Sequence, residues 1–309
     1  MLSSGRKTMT TREHILDFYS RPGLMKSPGR HADLFDSLPN DVGALVGIVQ
    51  GLALREFVAP SFYGVAVSDE RKSESHIREP ERMLDRLLEL DDRMLNVARP
   101  PERRLVGVCR HFVVLLLTML RAKHIPARCR CGFGSYFNPG FFEDHVVCEY
   151  WNAAEQRWVL VDPQFDEVWR NGLKIEHDIL DVPRDRFLIA ADAWARCRTG
   201  ESDAVKFGIF KGNLRGLWFI AANLVHDVAA LNKIEMLRWD VWGAMPHPDT
   251  SLKTDDLAFF DHLAALTREP DASFEELRRL YEGDGRLRVP STVFNALRNR
   301  PESVHIRAP

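Results

Sequence analysis

The chain has 309 residues, 45% of them hydrophobic, which is enough for a sizeable core in one large domain or two small ones. Its formal net charge of −2 gives no bulk attraction to nucleic acid or to an anionic membrane. The longest strongly apolar run, Phe112 to Leu120, is too short to cross a bilayer, and the N-terminus lacks the apolar run of a signal peptide. Five cysteines without a framework spacing indicate free thiols in a reducing compartment. These features predict a soluble, cytoplasmic, globular protein.

The N-terminal part is predicted to be mainly helical after a disordered polar tail at residues 1–9. Thr10 and Glu13 have the spacing of a capping box and predict a short helix through Tyr19. Prolines and glycines predict a loop over residues 21–39. Apolar spacing then predicts two further helices, one that Asn40 or Asp41 caps and Pro60 ends, and one with Pro80 in its first turn.

The middle of the chain is predicted to combine one buried helix with a small sheet. Residues 108–122 are apolar nearly all round, which is typical of a helix without a solvent face. Alternating side chains and turn residues then predict strands over 127–133, 145–151 and 158–161. In the first of these strands, Arg128 and Arg130 point away from Cys129 and Cys131, and the pattern does not decide whether the two arginines are exposed or line a cleft.

The remainder of the chain is predicted to be helical. The predicted segments are 184–197, 214–237, 254–266, 273–281 and 291–298. Gly200 is expected to stop the first of them, and Ser273 with Glu276 forms a second capping-box pattern. Helices, then a small sheet, then helices predict an α+β fold with N- and C-terminal helical extensions.

Three residues on three successive elements have the chemistry of a cysteine nucleophile, its base and the group that orients the base. Cys109 begins the buried helix just after Gly107, where free N–H groups and the helix dipole lower a thiol pKa and where its own N–H can donate to an oxyanion. His145 lies on the second strand and Asp162 ends the third. If these two strands pair antiparallel, Asp162 can accept a hydrogen bond from the ring of His145 and leave the other ring nitrogen for Cys109.

A metal site is the alternative use of the same region. Four soft ligands are close in sequence: Cys129, Cys131, His145 and Cys148. On a strand, however, His145 and Cys148 point to opposite faces, which a single tetrahedral site cannot use without a bulge. We therefore expect no metal and no cofactor.

Around these residues the chain resembles the transglutaminase-like superfamily. Gly107-Val108-Cys109 before an apolar helix is similar to the nucleophile segment of that family, and the passage from Leu120 to Arg128, LRAKHIPAR, is similar to its helix-to-strand connection. Asp144-His145 and Val159-Leu-Val-Asp162-Pro163 resemble its histidine and aspartate strands. The resemblance covers about residues 105–166. It implies a papain-like core, in which a nucleophile helix packs on an antiparallel sheet, with Cys109, His145 and Asp162 as the catalytic triad.

The departures from related families limit what the resemblance implies. Arg110 and His111 follow the cysteine where animal transglutaminases carry Trp, and the chain shows no calcium loop, so protein cross-linking is not implied. In papain the base follows the nucleophile by about 130–150 residues, whereas here the separation is 36 residues (145 − 109 = 36). The Arg-Gly-Gly-x-Cys element of arylamine N-acetyltransferases is also missing.

These observations predict a cysteine-dependent enzyme for acyl transfer, whose substrate is a peptide, another amide or a thioester. The rival hypothesis is a non-catalytic binding module of the same fold. No nucleic-acid or membrane partner is expected, and the sequence leaves the oligomeric state open. A single domain over residues 10–309 is predicted, with a helical N-terminal part (10–98), a catalytic core (99–170) and a helical C-terminal extension (171–309).

Overall fold

The structure, a computed structural model, describes residues 10–23, 25, 29–212 and 214–306. The predicted tail at residues 1–9 lies outside this range. Helix α1 (Thr11–Ser20) begins at the predicted capping box, in which the Glu13 N–H donates to Thr10 Oγ1 (3.2 Å) and the Thr10 N–H donates to Glu13 Oε2 (2.7 Å). Asp41 caps α2 (Val42–Leu52) by accepting from the Ala44 N–H at 2.7 Å.

The second predicted helix is wrong at its C-terminal end. It ends at Leu52, and Ala53–Arg55 forms strand β1, which pairs in parallel with β2 (Leu105–Gly107). This pairing satisfies the backbone N–H and C=O groups of Ala53–Arg55. Contact with β2 therefore outweighs the helical spacing of the apolar residues, which had predicted a longer helix. Pro60 does not end a helix. It lies in the first turn of a new one, α3 (Ala59–Tyr63), where its missing N–H has no cost.

A short helix, α4 (Asp69–Lys72), precedes α5 (Pro80–Leu90), which begins at the predicted proline. The predicted loop over residues 21–39 contains one 3-10 segment in its described part, Gly29–Phe35. Further 3-10 segments lie at Glu56–Val58, Ser73–His76, Pro101–Arg103 and Ala204–Lys206.

Helix α6 (Cys109–Ala122) is buried along nearly its whole length, as its apolar sequence predicts. Beyond its end, His124 adopts the left-handed conformation (φ 55°), which glycine takes at less cost. The chain then turns at once into the first strand of the sheet. Helix α6 and the sheet are therefore joined by only a few residues, which fixes their relative position.

The main sheet has the order β5-β4-β3-β6 with antiparallel neighbours, and a two-residue strand, β7, pairs in parallel with β4. Its strands are β3 (Ala127–Asn138), β4 (Phe141–Asn152), β5 (Arg157–Val161), β6 (Phe187–Ile189) and β7 (Phe207–Gly208). The three predicted strands are confirmed, and β3 and β4 extend further to meet in a hairpin at Gly140 (φ 73°). Near this hairpin the β3–β4 register shifts between Gly134 and Asn138, so Tyr136 and Phe137 leave the ladder.

The rest of the chain adds helices and one small sheet. They are α7 (Glu167–Leu173), α8 (Ala190–Arg198), α9 (Leu217–Leu231), α10 (Thr254–Arg268), α11 (Phe274–Gly283), β8 (Asp240–Val241), β9 (Thr292–Asn295) and β10 (Arg300–Ser303). The helix predicted from residue 184 begins only at Ala190, because residues 187–189 pair with β3. The helix predicted over residues 291–298 is wrong, because residues 292–295 form a strand between β8 and β10. Ser273 precedes α11 but makes no side-chain capping bond.

Arg128 and Arg130, whose exposure the sequence left undecided, are both buried in ion pairs. Arg128 Nε donates to Glu149 Oε2 at 2.6 Å, and Arg130 Nη2 donates to Asp227 Oδ2 on α9 at 2.9 Å. Glu149 lies directly opposite Arg128 on β4. The mixture of helices and antiparallel sheet confirms the α+β class. Within the described residues, no helix is long and apolar enough to cross a membrane.

Candidate active site

Cys109 is the first residue of α6, directly after β2 and the extended residue Val108. The first N–H groups of a helix have no intrahelical acceptor, so they are free to face a ligand at this end. A hydrogen bond from the Val108 N–H to Nδ1 of His111, at 3.2 Å, fixes the backbone where the chain enters the helix. A Cβ on Gly107 would lie 2.7 Å from Cβ of His111, so this packing requires glycine there. The local sequence thus holds the thiol at the tip of a buried helix.

His145 and Asp162 lie together in the structure. His145 projects from β4, Asp162 follows β5, and Nε2 of the imidazole is 2.7 Å from Oδ2 of the carboxylate. Both side chains are buried. The contact predicted from antiparallel β4–β5 pairing is therefore present. Because Nε2 faces the carboxylate, Nδ1 is the ring nitrogen left for the thiol.

Cys109 and His145 lie close enough for each to shift the pKa of the other. Burial acts to raise the pKa of the Cys109 thiol, but the hydrogen bond and charge of His145, with a smaller contribution from the Arg55 charge, bring this pKa below its usual value. For His145, burial acts to lower the pKa, while the charge and hydrogen bond of Asp162 and the contact with Cys109 raise it to about 10. These opposite shifts favour a thiolate–imidazolium pair near neutral pH.

Tyr136 is a site residue that the sequence analysis missed. Its hydroxyl donates to Oδ2 of Asp162 at 2.8 Å, the same oxygen that faces His145. Burial and the neighbouring carboxylate raise the pKa of Tyr136, so the hydroxyl keeps its proton and remains a donor. The side chain reaches Asp162 because the register shift takes it out of the β3 ladder. The turn residues Asn138-Pro139-Gly140 could have indicated a hairpin, which was not predicted, and no sequence pattern indicates the bulge.

Aromatic rings surround the imidazole of His145. Phe137 lies 5.0 Å away in an edge arrangement, Phe165 is 6.0 Å away and Phe187 is 6.2 Å away, all measured between ring centroids. These rings keep water from the ion pair and limit the rotation of the imidazole. Low polarity around a charged pair strengthens its electrostatic interaction.

A second buried ion pair lies next to the site and includes a residue from the C-terminal part of the chain. Asp144, which precedes His145, accepts from Arg238 Nη2 at 2.7 Å and from Asn223 Nδ2 at 3.0 Å. The charge of Asp144 acts to raise the pKa of Cys109, and Arg238 offsets this charge locally. Neither Arg238 nor Asn223 was predicted from the sequence to belong to the site. Their separation from Asp144 in the chain leaves no local pattern that could reveal them.

The four alternative metal ligands do not form one metal site in the structure. Cys129 lies directly opposite Cys148 in the β3–β4 ladder, and with Cys131 both pack in the core against α6. His145, the fourth candidate, faces Asp162 instead. Within the described ranges, no group of three His, Cys, Asp or Glu side chains is arranged to hold a metal ion.

The comparisons with known proteins bear on this region of the chain. No curated protein and no solved structure matches the chain significantly. Residues 88–163 match the family model of the transglutaminase-like superfamily, and this segment contains Cys109, His145 and Asp162. The chain therefore contains a transglutaminase-like domain, and the resemblance seen in its sequence is confirmed.

Proposed function

We propose that the protein is a cysteine-dependent enzyme that transfers the acyl group of an amide or thioester, and that Cys109, His145 and Asp162 form its papain-like triad. One observation carries the proposal: His145 contacts the Asp162 carboxylate at 2.7 Å and lies close enough to the Cys109 thiol, at the tip of α6, for each to shift the pKa of the other. A histidine placed between a thiol and a carboxylate has the geometry of an activated nucleophile with an oriented base.

The reaction follows from this geometry. The Cys109 sulfur attacks the carbonyl carbon, a carbon–sulfur bond forms, and the carbonyl electron pair moves onto oxygen. The resulting oxyanion accepts a hydrogen bond from the N–H of Cys109. As the oxyanion collapses, the bond to the leaving amine or thiol breaks and His145 supplies its proton. Water or an acceptor amine then attacks the acyl-enzyme, His145 takes its proton, and the thiolate is released.

Asp162 does not exchange a proton in this scheme. Its carboxylate holds the Nε2–H of His145, and this directs Nδ1 to the reacting atoms in every step. The hydroxyl of Tyr136 and the N–H of Gln164 hold the carboxylate in turn, at 2.8 Å and 3.2 Å. The substrate class is thus defined by its carbonyl chemistry: a peptide, another amide or a thioester.

The rival function is a non-catalytic binding module of the same fold. The observation in its favour is that Cys109 is only 4% exposed, so a substrate must enter through a narrow opening or displace the side chains above the thiol. In a binding module the thiol would be a packing residue with ordinary or low reactivity. The two functions therefore predict opposite reactivities for Cys109.

The test is the rate of thiol alkylation by iodoacetamide at about pH 6, read residue by residue with mass spectrometry. Ordinary thiols have a pKa of about 8.5 and are mostly protonated at this pH. Because the pKa of Cys109 is lowered, its thiolate fraction is larger and we expect it to react first. Cys197 is the internal control, since it is more exposed and burial raises its pKa to about 11.

Activity on a panel of amides and thioesters completes this test. Cys109→Ala should abolish turnover, and Cys109→Ser should be nearly as poor, because a hydroxyl ionises far less readily beside a histidine. The enzyme hypothesis fails if Cys109→Ala keeps full activity or if Cys197 is alkylated before Cys109. The binding module would then be the better description.

A further inference from the structure

We propose that Arg55 is a catalytic residue, the second hydrogen-bond donor to the oxyanion that forms when an acyl group is transferred to Cys109. This inference rests on the proposed function. Neither the sequence motifs nor the family resemblance assigned a role to Arg55. Three features of the structure support it: the position of β1, the unpaired guanidinium and the charge distribution around the first turn of α6.

The strand pairing places Arg55 at the nucleophile end of α6. Strand β1 runs parallel to β2, and Arg55 lies directly opposite Gly107, two residues before Cys109. Ala53 on β1 packs in the same core cluster as Cys109, whereas Leu54 packs in a different cluster on the other side of the strand. Because side chains alternate along a strand, Arg55 shares the side of Ala53 and faces the start of α6.

The guanidinium of Arg55 lacks a fixed anionic partner. Within the part of the chain that the structure describes, no carboxylate lies within 4.0 Å of it, and its buried Nη1 atom has no hydrogen-bond acceptor. The nearby Glu143 carboxylate is engaged elsewhere: its Oε2 accepts from Asn138 Nδ2 and from the Phe210 N–H, both at 3.1 Å. A buried donor without an acceptor is costly, which suggests that an anion fills this position when the site is in use.

The charge of Arg55 acts on the first turn of α6. Burial raises the pKa of Cys109, and the charge of Arg55 lowers it, after the larger effect of His145. Burial lowers the pKa of His111, and the charges of Arg110 and then Arg55 lower it further. Arg55 therefore lies within electrostatic reach of the reacting sulfur. His145 is already committed to the thiol and to Asp162, so it cannot also hold the oxyanion. The Cys109 N–H at the start of α6 and the Arg55 guanidinium can both donate to it, since Nη1 of Arg55 has no acceptor and the guanidinium's contact with the Phe57 ring is not a hydrogen bond.

The experiment compares two reactions of the same sulfur. With p-nitrophenyl acetate, the thiolate attacks the carbonyl carbon, an oxyanion forms, and p-nitrophenolate leaves with the bonding electron pair. With iodoacetamide, the thiolate displaces iodide and no oxyanion forms. Each rate is measured at the pH plateau of each variant, so that a change in thiol pKa cancels. For Arg55→Gln we expect acylation to slow by about 10²-fold, the loss typical of one oxyanion donor, with little change in alkylation.

Two further variants serve as comparisons for Arg55→Gln. Arg55→Lys keeps the charge but not the forked donor geometry, so its acylation rate should lie between the wild-type and Arg55→Gln rates. Arg82→Gln is the matched control, because it removes the same charge from an exposed side chain on α5 and should leave both rates unchanged. Thermal unfolding of all variants establishes that each one is folded.

Three outcomes would overturn the proposal. Equal slowing of acylation and alkylation in Arg55→Gln would mean that Arg55 acts on the sulfur itself. Selective loss of reactivity toward iodoacetate, with p-nitrophenyl acetate unaffected, would mean that Arg55 binds a substrate carboxylate. Unchanged rates would mean that it has no part in the reaction. Failure of the proposed function is distinguishable, because wild-type protein and Cys109→Ala would then both resist acylation.

Discussion

At the scale of single residues, several hydrogen bonds hold the Asp162 carboxylate in place. One oxygen faces His145 and Tyr136, and the other accepts from the Gln164 N–H. A buried carboxylate needs several donors, and here they come from three separate segments. Asp162 therefore holds its position before any substrate binds, which is what orienting His145 requires.

Replacing Asp162 with Asn tests this role through the titration of His145. Burial acts to lower the pKa of this histidine, and the Asp162 charge is the largest effect that raises it to about 10. Without that charge, the pKa of His145 should fall. In the wild type, protonation of His145 stabilises the folded protein below about pH 6.5, and this stabilisation is lost as the pH rises through about 10. The stabilisation should be smaller in Asp162→Asn. NMR titration of the imidazole measures the shift.

The same variant should be slower by about 10–10³-fold, because the amide favours the wrong tautomer of His145 while the thiolate is still formed in part. Cys109→Ala is the control for the titration, since it removes the thiol and keeps the carboxylate. An unchanged His145 pKa in Asp162→Asn would show that the contact has no electrostatic importance.

At the scale of elements, the predictable part of the fold is the part whose own sequence determines it. Helix α6 is apolar nearly all round, and β4 and β5 alternate over several residues, so their positions follow from local patterns. The contact between His145 and Asp162 could therefore be predicted. The short strands β1 and β6 could not, because three residues have no usable periodicity and the partner strand determines their conformation.

The same reason explains which site residues were missed. Arg55 lies on β1, and Tyr136 lies in the bulge of β3, so each depends on a tertiary pairing. Asn223 and Arg238 reach Asp144 only because α9 packs along the sheet. Cys109, His145 and Asp162, the proposed nucleophile, base and orienter, were visible in the sequence, whereas the groups that contact them were not.

Replacing Gly132 on β3 tests how closely β6 must approach this strand, which pairs with the strand that carries His145. It lies between His145 on β4 and Ile189 on β6, and a Cβ at this position would be 2.1 Å from the carbonyl oxygen of Leu188. Backbone atoms cannot move aside cheaply, so Gly132→Ala should destabilise the protein by about 1–3 kcal/mol, as overpacking does. Urea unfolding measures the change.

Gly47→Ala is the control for this measurement, because it should change the stability in the opposite direction. Gly47 is an exposed residue inside α2, and nothing lies within 4 Å of the point where an added Cβ would sit, so alanine there should stabilise the protein by about 0.5–1 kcal/mol. If both substitutions change stability in the same direction, the close approach of β6 is not what Gly132 provides.

At the scale of the whole molecule, the C-terminal helices share a hydrophobic core with the sheet. One cluster contains Phe133 and Val147 of the sheet, Tyr19 of α1 and Trp194 and Leu224 of the later helices. The prediction that residues 10–309 form a single domain remains to be tested. A buried ion pair between α9 and β3 offers the means to test it.

The last prediction concerns this ion pair, Arg130 with Asp227. Asp227 on α9 accepts from Arg130 Nη2 at 2.9 Å and from the Cys131 N–H at 2.7 Å, and both charged side chains are buried. Asp227→Ala leaves the buried Arg130 cation with the Glu149 carboxylate at 3.5 Å and the Thr267 carbonyl at 2.7 Å, and it leaves the Cys131 N–H without this acceptor. Breaking a buried pair from one side costs about 3–5 kcal/mol.

In a single domain this loss should lower the stability of the sheet and the C-terminal helices together, giving one urea transition by both fluorescence and circular dichroism. Two separate transitions, or a stable proteolytic fragment that ends near residue 175, would show instead that the helices after the core fold on their own.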